Sequence, residues 1–314
     1  MPQKIKLTTI GGGSGHGMLL SALRDIENLD ISAVVAMSDN GRSNGKLREE
    51  LGILPVADIL KCIIALSPKR EMVKDFLLKK FTLDGRLNGY NAGYMMMAKL
   101  ALFDNFENAV LALSEILEIK GRVFSVTLTR TTLMTEFEDG SLLYGEFALD
   151  KPCGFYGENK KIVRNFLIPH HGENITAYPP VIERIKNADY IIIGPGGFYN
   201  SVMVNFLLPE VKDVVSHTKA KLIFICNAFN RFGTEKFTLR NYIEELEKRI
   251  ERRVDIAIAN NGFGEKWDGD FVKADAEDGY GGRKIIYENL LDEDGNYLEN
   301  EGEILAGILG NCIM

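Results

Sequence analysis

The stretch Lys6-Leu7-Thr8-Thr9-Ile10-Gly11-Gly12-Gly13-Ser14-Gly15-His16-Gly17-Met18-Leu19-Leu20 decides the fold class. Its first five residues are a short β-prone run that stops at the glycines, and Met18, Leu19, Ala22 and Leu23 then recur at helical spacing. Strand, tight turn and helix follow in order. Further on, Ile31 to Met37 is a continuous apolar, β-branched run, the pattern of a parallel strand covered on both faces. A β-α-β unit opens the chain, and the predicted class is α/β: a Rossmann-like, doubly wound, mostly parallel sheet.

Gly11, Gly12, Gly13 and Gly15, with Ser14 among them, let the backbone turn sharply and approach a ligand closely. The helix beyond offers unpaired N–H groups and a positive dipole end to an anion. Glycines also permit tight strand-on-helix packing, but a cluster this dense favours ligand binding. The strict G-x-G-x-x-G fingerprint needs glycine where His16 stands, so it fails, although Asp39 sits where a ribose-binding acid is expected. NAD is therefore a rival ligand. His16 itself reads as a surface residue at a helix start rather than an acid–base group.

A second polar loop, Ser38-Asp39-Asn40-Gly41-Arg42-Ser43-Asn44-Gly45-Lys46-Leu47-Arg48, follows the second strand. It begins with a carboxylate and ends with cations. Asp39 can hold a metal or a ribose hydroxyl, Ser43 and Asn44 can donate hydrogen bonds, and Arg42, Lys46 or Arg48 can neutralise phosphate or stand solvated. A P-loop is excluded because Asn40 replaces its first glycine and Leu47 its Ser/Thr. Asp58, after Pro55 and before an apolar helix, caps that helix or joins Asp39 around a divalent cation. These two aspartates are the catalytic candidates. Gly194-Pro195-Gly196-Gly197-Phe198-Tyr199-Asn200-Ser201 follows a buried strand and makes a second phosphate- or sugar-binding turn at the same sheet edge. Asn227 ends the next strand and either reads a base or sugar edge or stabilises its turn. Asn40, Gly194, Gly196, Gly197, Asn200 and Ser201 join the candidate ligand-binding set.

Helical spacing from Ala57 to Phe103 and from Glu107 to Ile119 predicts an insert over about 56–119, forming a cap or lobe. Strand character returns at Val123 to Thr129. The runs Leu133 to Glu138 and Leu142 to Phe147, joined at Asp139-Gly140, predict an antiparallel hairpin. Tyr190 to Ile193, Leu222 to Ile225 and Ile256 to Ala259 are further buried strands, the last running into Asn260-Asn261-Gly262. With no repeat or low-complexity linker, residues 1–314 read as one domain.

Composition bounds the function. Lys plus Arg number 37 and Asp plus Glu 44, giving −7 with no long basic run, which argues against bulk nucleic-acid or anionic-membrane binding. Cys62, Cys153, Cys226 and Cys312 are far apart and read as reduced residues, not a disulfide frame or zinc site. The start is polar, without a signal-peptide pattern, and no apolar run approaches the ~20 residues of a membrane span. A cytoplasmic protein is expected. The histidines form no HExxH and no serine lies in G-x-S-x-G, so zinc and serine-hydrolase chemistry lack support. The acidic run from Asp292 to Asn296 has Tyr297 where a calcium loop needs glycine, and reads as a solvated turn.

These motifs, in this order and spacing, resemble the gluconeogenesis factors of the YvcK type, in the superfamily of 2-phospho-L-lactate transferase, CofD. The likeness runs through Gly11 to Gly15, Asp39 to Arg48, Leu51-Gly52-Ile53-Leu54-Pro55, Asp58-Ile59, Lys120-Gly121-Arg122-Val123, Gly194-Pro195-Gly196, Cys226-Asn227 and Leu291 to Gly295. It implies a Rossmann-like fold binding a UDP-sugar such as UDP-N-acetylglucosamine, with links to central carbon metabolism, cell-wall supply and cell shape. The transferase relatives instead imply movement of phospholactate onto a deazaflavin with magnesium, for which Asp39 and Asp58 are the candidate ligands. A homo-oligomer is compatible with either. This chain departs from the factors at Asn40 and Arg42 (they read Asp-Asp-Gly-Gly), at Val56-Ala57 before Asp58 (Pro-Gly-Asp), and at Gly89-Tyr90-Asn91-Ala92-Gly93-Tyr94 (Gly-His-Ser-Phe-Gly-Asn).

Overall fold

The apolar runs become strands of one parallel sheet. In the computed structural model, which describes residues 4–82, 85, 87–150, 160–261, 270–291 and 302–313, β1 (Ile5–Gly11) leads into α1 (Gly13–Arg24) and β2 (Leu29–Val35). Helices α2 (Arg42–Leu51), α3 (Ala57–Leu66), α4 (Arg70–Leu78), α5 (Ala92–Phe103) and α6 (Phe106–Ile116) come before β3 (Arg122–Ser125). An excursion follows, made of β4 (Thr131–Phe137), β5 (Leu142–Tyr144), the short α7 (Glu146–Asp150) and β6 (Ile162–Pro169). The remaining elements are α8 (Pro179–Lys186), β7 (Tyr190–Ile193), α9 (Pro209–His217), β8 (Lys221–Ile225), α10 (Leu239–Ile250), β9 (Ile256–Asn260), β10 (Lys284–Glu288) and α11 (Gly302–Ile313).

The seven-stranded sheet has the order β10-β9-β8-β7-β1-β2-β3, each neighbouring pair parallel. From β1 the chain steps outward through β2 and β3, then returns to β1's other side and steps outward through β7 to β10. This reversal opens a crevice at the carboxyl ends of β1 and β7, where ligands of such sheets bind. Register brings the loops level, for Ile10 stands opposite Ile193 and Gly11 opposite Val35. Leu7 to Gly11 and Ile31 to Val35 are buried at every position, as strands covered on both faces require.

The predicted helical stretch is present as α3 to α6. Helix α3 packs against α1 and β3, burying Ile59, Leu60, Cys62 and Ile63, so it belongs to the layer over the sheet. The predicted hairpin is β4–β5, turning through Gly140 at φ +78°. Strand β6, which the sequence reading missed, pairs with β4 to complete a three-stranded antiparallel sheet, β5-β4-β6. Leu133, Phe137, Leu143 and Leu149 from this excursion share a small core with Ala36, just past β2, and Val204. The antiparallel sheet therefore sits over the carboxyl edge of the parallel one.

Cys62 and Cys226 are buried as thiols. Cys153, Gly262 and the acidic run from Asp292 lie outside the described residues. No described helix is long and apolar enough to cross a membrane.

Candidate functional site

Where β1 ends, Gly13 begins α1 with φ +70°, a conformation that disfavours side chains. Its N–H donates to Asp58 Oδ2 at 2.7 Å. Asp58 thus caps not its own helix, as the sequence suggested, but the neighbouring α1. The start of α3 is served instead by Asn44, whose Oδ1 accepts the N–H groups of Val56 at 2.9 Å and Ala57 at 3.3 Å. Gly15 packs under the β7 loop so closely that a Cβ there would stand 3.0 Å from the Pro195 carbonyl oxygen.

Two carboxylates and one ammonium form the electrostatic centre. Asp39 accepts from the Gly41 N–H and from Asn44 Nδ2, both at 2.7 Å. Burial raises its pKa above the usual carboxylate value, and the Asp58 charge adds to the rise. Lys61 Nζ lies 3.0 Å from Asp58 Oδ1. Burial alone would lower the lysine's pKa, but the Asp58 carboxylate outweighs it and holds the ammonium charged. Among the described residues no group of three or more His, Cys, Asp or Glu side chains could hold a metal ion. A cation at Asp39 and Asp58 would need phosphate or water for its remaining ligands.

The β7 loop is pinned from below. Asn227 accepts the Gly196 N–H at 3.2 Å and donates to the Gly196 carbonyl at 2.8 Å, so both ends of its amide brace this turn. After it, a π-helical turn over Phe198–Val202 runs into a 3₁₀ turn over Met203–Leu207. Buried Asn205 donates to the carbonyls of Gly11, Ser201 and Val202, tying this turn to the end of β1. From the excursion, Phe147 donates its N–H to Asn40 Oδ1 at 2.9 Å, and Glu146 Oε1 accepts from Asn200 Nδ2 at 2.6 Å.

Together these elements enclose a cleft of about 420 Å³. Of the residues singled out from sequence, Gly13, Ser14, Gly15, Asp39, Asp58, Gly196, Gly197, Asn200, Ser201 and Asn227 line it. Gly11, Gly12, Asn40, Ser43, Asn44, Arg48 and Gly194 are not among its lining residues. Arg48 is only 1% exposed and spends its guanidinium on Thr132 Oγ1 at 2.8 Å, His170 Nε2 at 2.6 Å and the Asp39 carbonyl at 3.4 Å. It braces the Asp39 loop against the antiparallel sheet. Lys46 is exposed.

His16 overturns its sequence reading. It is fully buried, with Nε2 2.7 Å from Thr9 Oγ1 and Nδ1 3.8 Å from Cys62 Sγ, because it points between β1 and α3. Burial lowers its pKa to about 4, against a smaller opposing pull from Asp58, so the ring is neutral at neutral pH.

Sequence reading missed Lys61, Glu146, Phe147 and Phe229, which also line the cleft. Only Lys61 carried a signal, its i+3 spacing from Asp58 on one helix.

The family described as 2-phospho-L-lactate transferase CofD matches residues 7–289. The gluconeogenesis factor of Bacillus subtilis is 34% identical over 252 residues, covering 80% of this chain and 76% of that one. That of Listeria innocua is 34% identical over 249 residues, covering 79% and 74%. A crystal structure of a UPF0052-family protein from Bacillus halodurans matches with a TM-score of 0.85 at 25% identity, covering 98% of this chain and 99% of that one.

Proposed function

The chain belongs to the 2-phospho-L-lactate transferase CofD family, and from that premise we propose that it is a nucleotide-sugar-binding regulatory protein of the gluconeogenesis-factor type. Its ligand is a UDP-sugar such as UDP-N-acetylglucosamine, and its role links central carbon metabolism to cell-wall precursor supply and cell shape in the cytoplasm. One observation carries the reading: the helix start at Gly13 to Gly15, the turn from Gly196 to Ser201 and the polar loop at Asp39 all border one cleft, at the reversal point of the sheet. A diphosphate gains from the dipole of α1 and the N–H groups that follow Gly13, whose own N–H is held by Asp58, and from the Lys61 donors not spent on Asp58. Phe147 and Phe229 supply apolar lining for a base or sugar ring. Calorimetric titration with UDP-N-acetylglucosamine tests the reading and should give saturable heat. Absence of heat with UDP-sugars, UTP and NAD alike would remove it.

A second reading, a phospho-group transferase with Mg²⁺, is favoured by the shared cleft of Asp39 and Asp58 and by the influence of Asp58 on Asp39. Asp39 and Asp58 would hold the ion, which when bound supplies charge neutralisation to a phosphoryl group. Magnesium-dependent turnover lost in Asp39→Asn and Asp58→Asn marks this reading. A ligand bound but left unchanged marks the regulator. Unaltered nicotinamide fluorescence on titration dismisses an NAD-dependent oxidoreductase.

A further inference from the structure

Arg48 is a cation shut inside the fold. Its ion pair is with Glu49, whose Oε1 lies 3.5 Å from Nε and whose side chain is 63% exposed. Neutral acceptors take its other donors. Nη2 donates to Thr132 Oγ1 at 2.8 Å and to His170 Nε2 at 2.6 Å, and Nη1 to the carbonyls of Ser38 at 3.5 Å and Asp39 at 3.4 Å. The guanidinium therefore joins two parts of the molecule. One is the backbone that carries Asp39 into the cleft. The other is the antiparallel sheet, in which Thr132 lies on β4 and His170 follows β6, its N–H donating to the Arg130 carbonyl at 3.0 Å.

A guanidinium can only donate, so His170 Nε2 must present its lone pair, and the ring is neutral with its proton on Nδ1. Protonation would put an N–H on Nε2, facing a donor 2.6 Å away, and would add a second positive charge beside a buried one. Thr132 Oγ1, 2.9 Å from Nε2 and itself 3.4 Å from the Tyr144 hydroxyl, brings no charge to the ring. Burial and the Arg48 charge, with smaller contributions from Arg130 and His171, hold the pKa of His170 below its ordinary 6.5, against an opposing pull from Glu49.

We propose that His170 is a positioning residue for the cleft: its neutral ring holds Arg48, and through Arg48 the Asp39 loop, so that protonating the ring releases the loop and weakens binding of a nucleotide sugar. For the ligand this rests on the nucleotide-sugar reading above; for the movement it rests on the hydrogen bonds of Arg48. His170 is not among the residues that line the cleft, so its effect passes through Arg48. Binding is complete where the ring is neutral, above the ordinary histidine value, and falls as the pH drops below that value.

The test is calorimetric titration of the full chain and of His170→Gln with UDP-N-acetylglucosamine at pH 7.5 and pH 5. Glutamine offers Arg48 an amide oxygen and does not titrate, while His16 and Asp39 are present in both proteins. The two should bind within about threefold of each other at pH 7.5, and at pH 5 the wild type should lose at least about fivefold more affinity than the variant. His170→Leu, which offers no acceptor, should bind weakly at both values. Parallel pH profiles in the wild type and His170→Gln, or full affinity in His170→Leu at pH 7.5, overturn the role of His170 and leave the nucleotide-sugar reading standing. Amide hydrogen exchange over residues 38–48 needs no ligand, and it decides the matter if the leucine variant fails to fold. Exchange there should be faster in the wild type than in His170→Gln at pH 5 and alike at pH 7.5. If the wild type binds no nucleotide sugar at either pH, that reading falls, and equal exchange in the two proteins at pH 5 would remove the role of His170 as well.

Discussion

Asp58 Oδ2, on α3, accepts the N–H of Gly13, the first residue of α1, at 2.7 Å, so that a carboxylate of one helix closes the start of its neighbour. The other oxygen of the same side chain holds Lys61 Nζ at 3.0 Å. The site is thus preorganised by a contact between two layers that the sequence separates by 45 positions.

Removing that carboxylate leaves two donors without a partner. Asp58→Ala strands the Gly13 N–H and a half-buried ammonium, and should lower the unfolding free energy by about 2 kcal/mol. Asp58→Asn retains an acceptor for Gly13 and loses only the ion pair, so it should cost about half as much. Urea unfolding with an unchanged slope measures both. Equal losses in the two variants would mean that the contact with Gly13 contributes nothing.

Two glycines of α1 should respond in opposite directions to alanine. In a helix, alanine is favoured over glycine by about 1 kcal/mol. At Gly17 the new Cβ would meet Lys61 Cβ and the Lys61 carbonyl oxygen at 3.7 Å, an ordinary contact, so Gly17→Ala should stabilise by about 0.5–1 kcal/mol. At Gly15 it would meet the Pro195 carbonyl oxygen at 3.0 Å, with backbone rather than a flexible side chain in the way. Overpacking costs about 1–3 kcal/mol, which exceeds the propensity gain. Gly15→Ala should therefore melt earlier and, by pushing the β7 loop off α1, weaken nucleotide binding. Thermal melts of the two variants side by side decide it, and a stabilised Gly15→Ala would refute the close packing.

The same positions explain how far the sequence could be read. Buried parallel strands announce themselves as unbroken apolar runs, and so β1, β2, β7, β8 and β9 were visible in advance. Strand β6 mixes Arg164 and Asn165 with exposed Val163 and half-buried neighbours, and β10 is an edge strand with exposed Lys284 and Glu288 at its ends, so neither shows an unbroken apolar run. Glycine-rich turns at strand ends disclosed the β1 and β7 walls of the cleft, because backbone conformation is written locally. Glu146 and Phe147 were invisible, for what brings them to the cleft is the packing of a hairpin over the sheet edge. Asn44 and Arg48 lay in the motif that pointed to ligand, yet they hold the loop that carries Asp39. Local sequence marks a polar loop but cannot say which of its side chains turn inward.

Burial of His16 makes stability depend on pH with a defined sign. The folded protein holds this ring neutral down to about pH 4, whereas in the unfolded chain it titrates near its ordinary value of 6.5. Above that value both states carry a neutral ring and the group contributes no slope. Between 6.5 and 4 the unfolded chain takes up a proton that the folded one refuses, so stability falls as the pH falls. By pH 5 the loss should reach about 2 kcal/mol. Asp39 acts in the opposite sense: its raised pKa lets the folded state take up a proton before the unfolded one does, which stabilises the fold as the solution becomes more acidic. The two effects overlap, and comparison with His16→Gln separates them, since glutamine can still reach Thr9 but does not titrate in this range. The stability difference between wild type and His16→Gln, measured by urea unfolding at pH 7.5 and pH 5, should shrink by about 2 kcal/mol at the lower pH. A difference independent of pH would show that the ring titrates alike in the two states, and hence that it is not enclosed between β1 and α3.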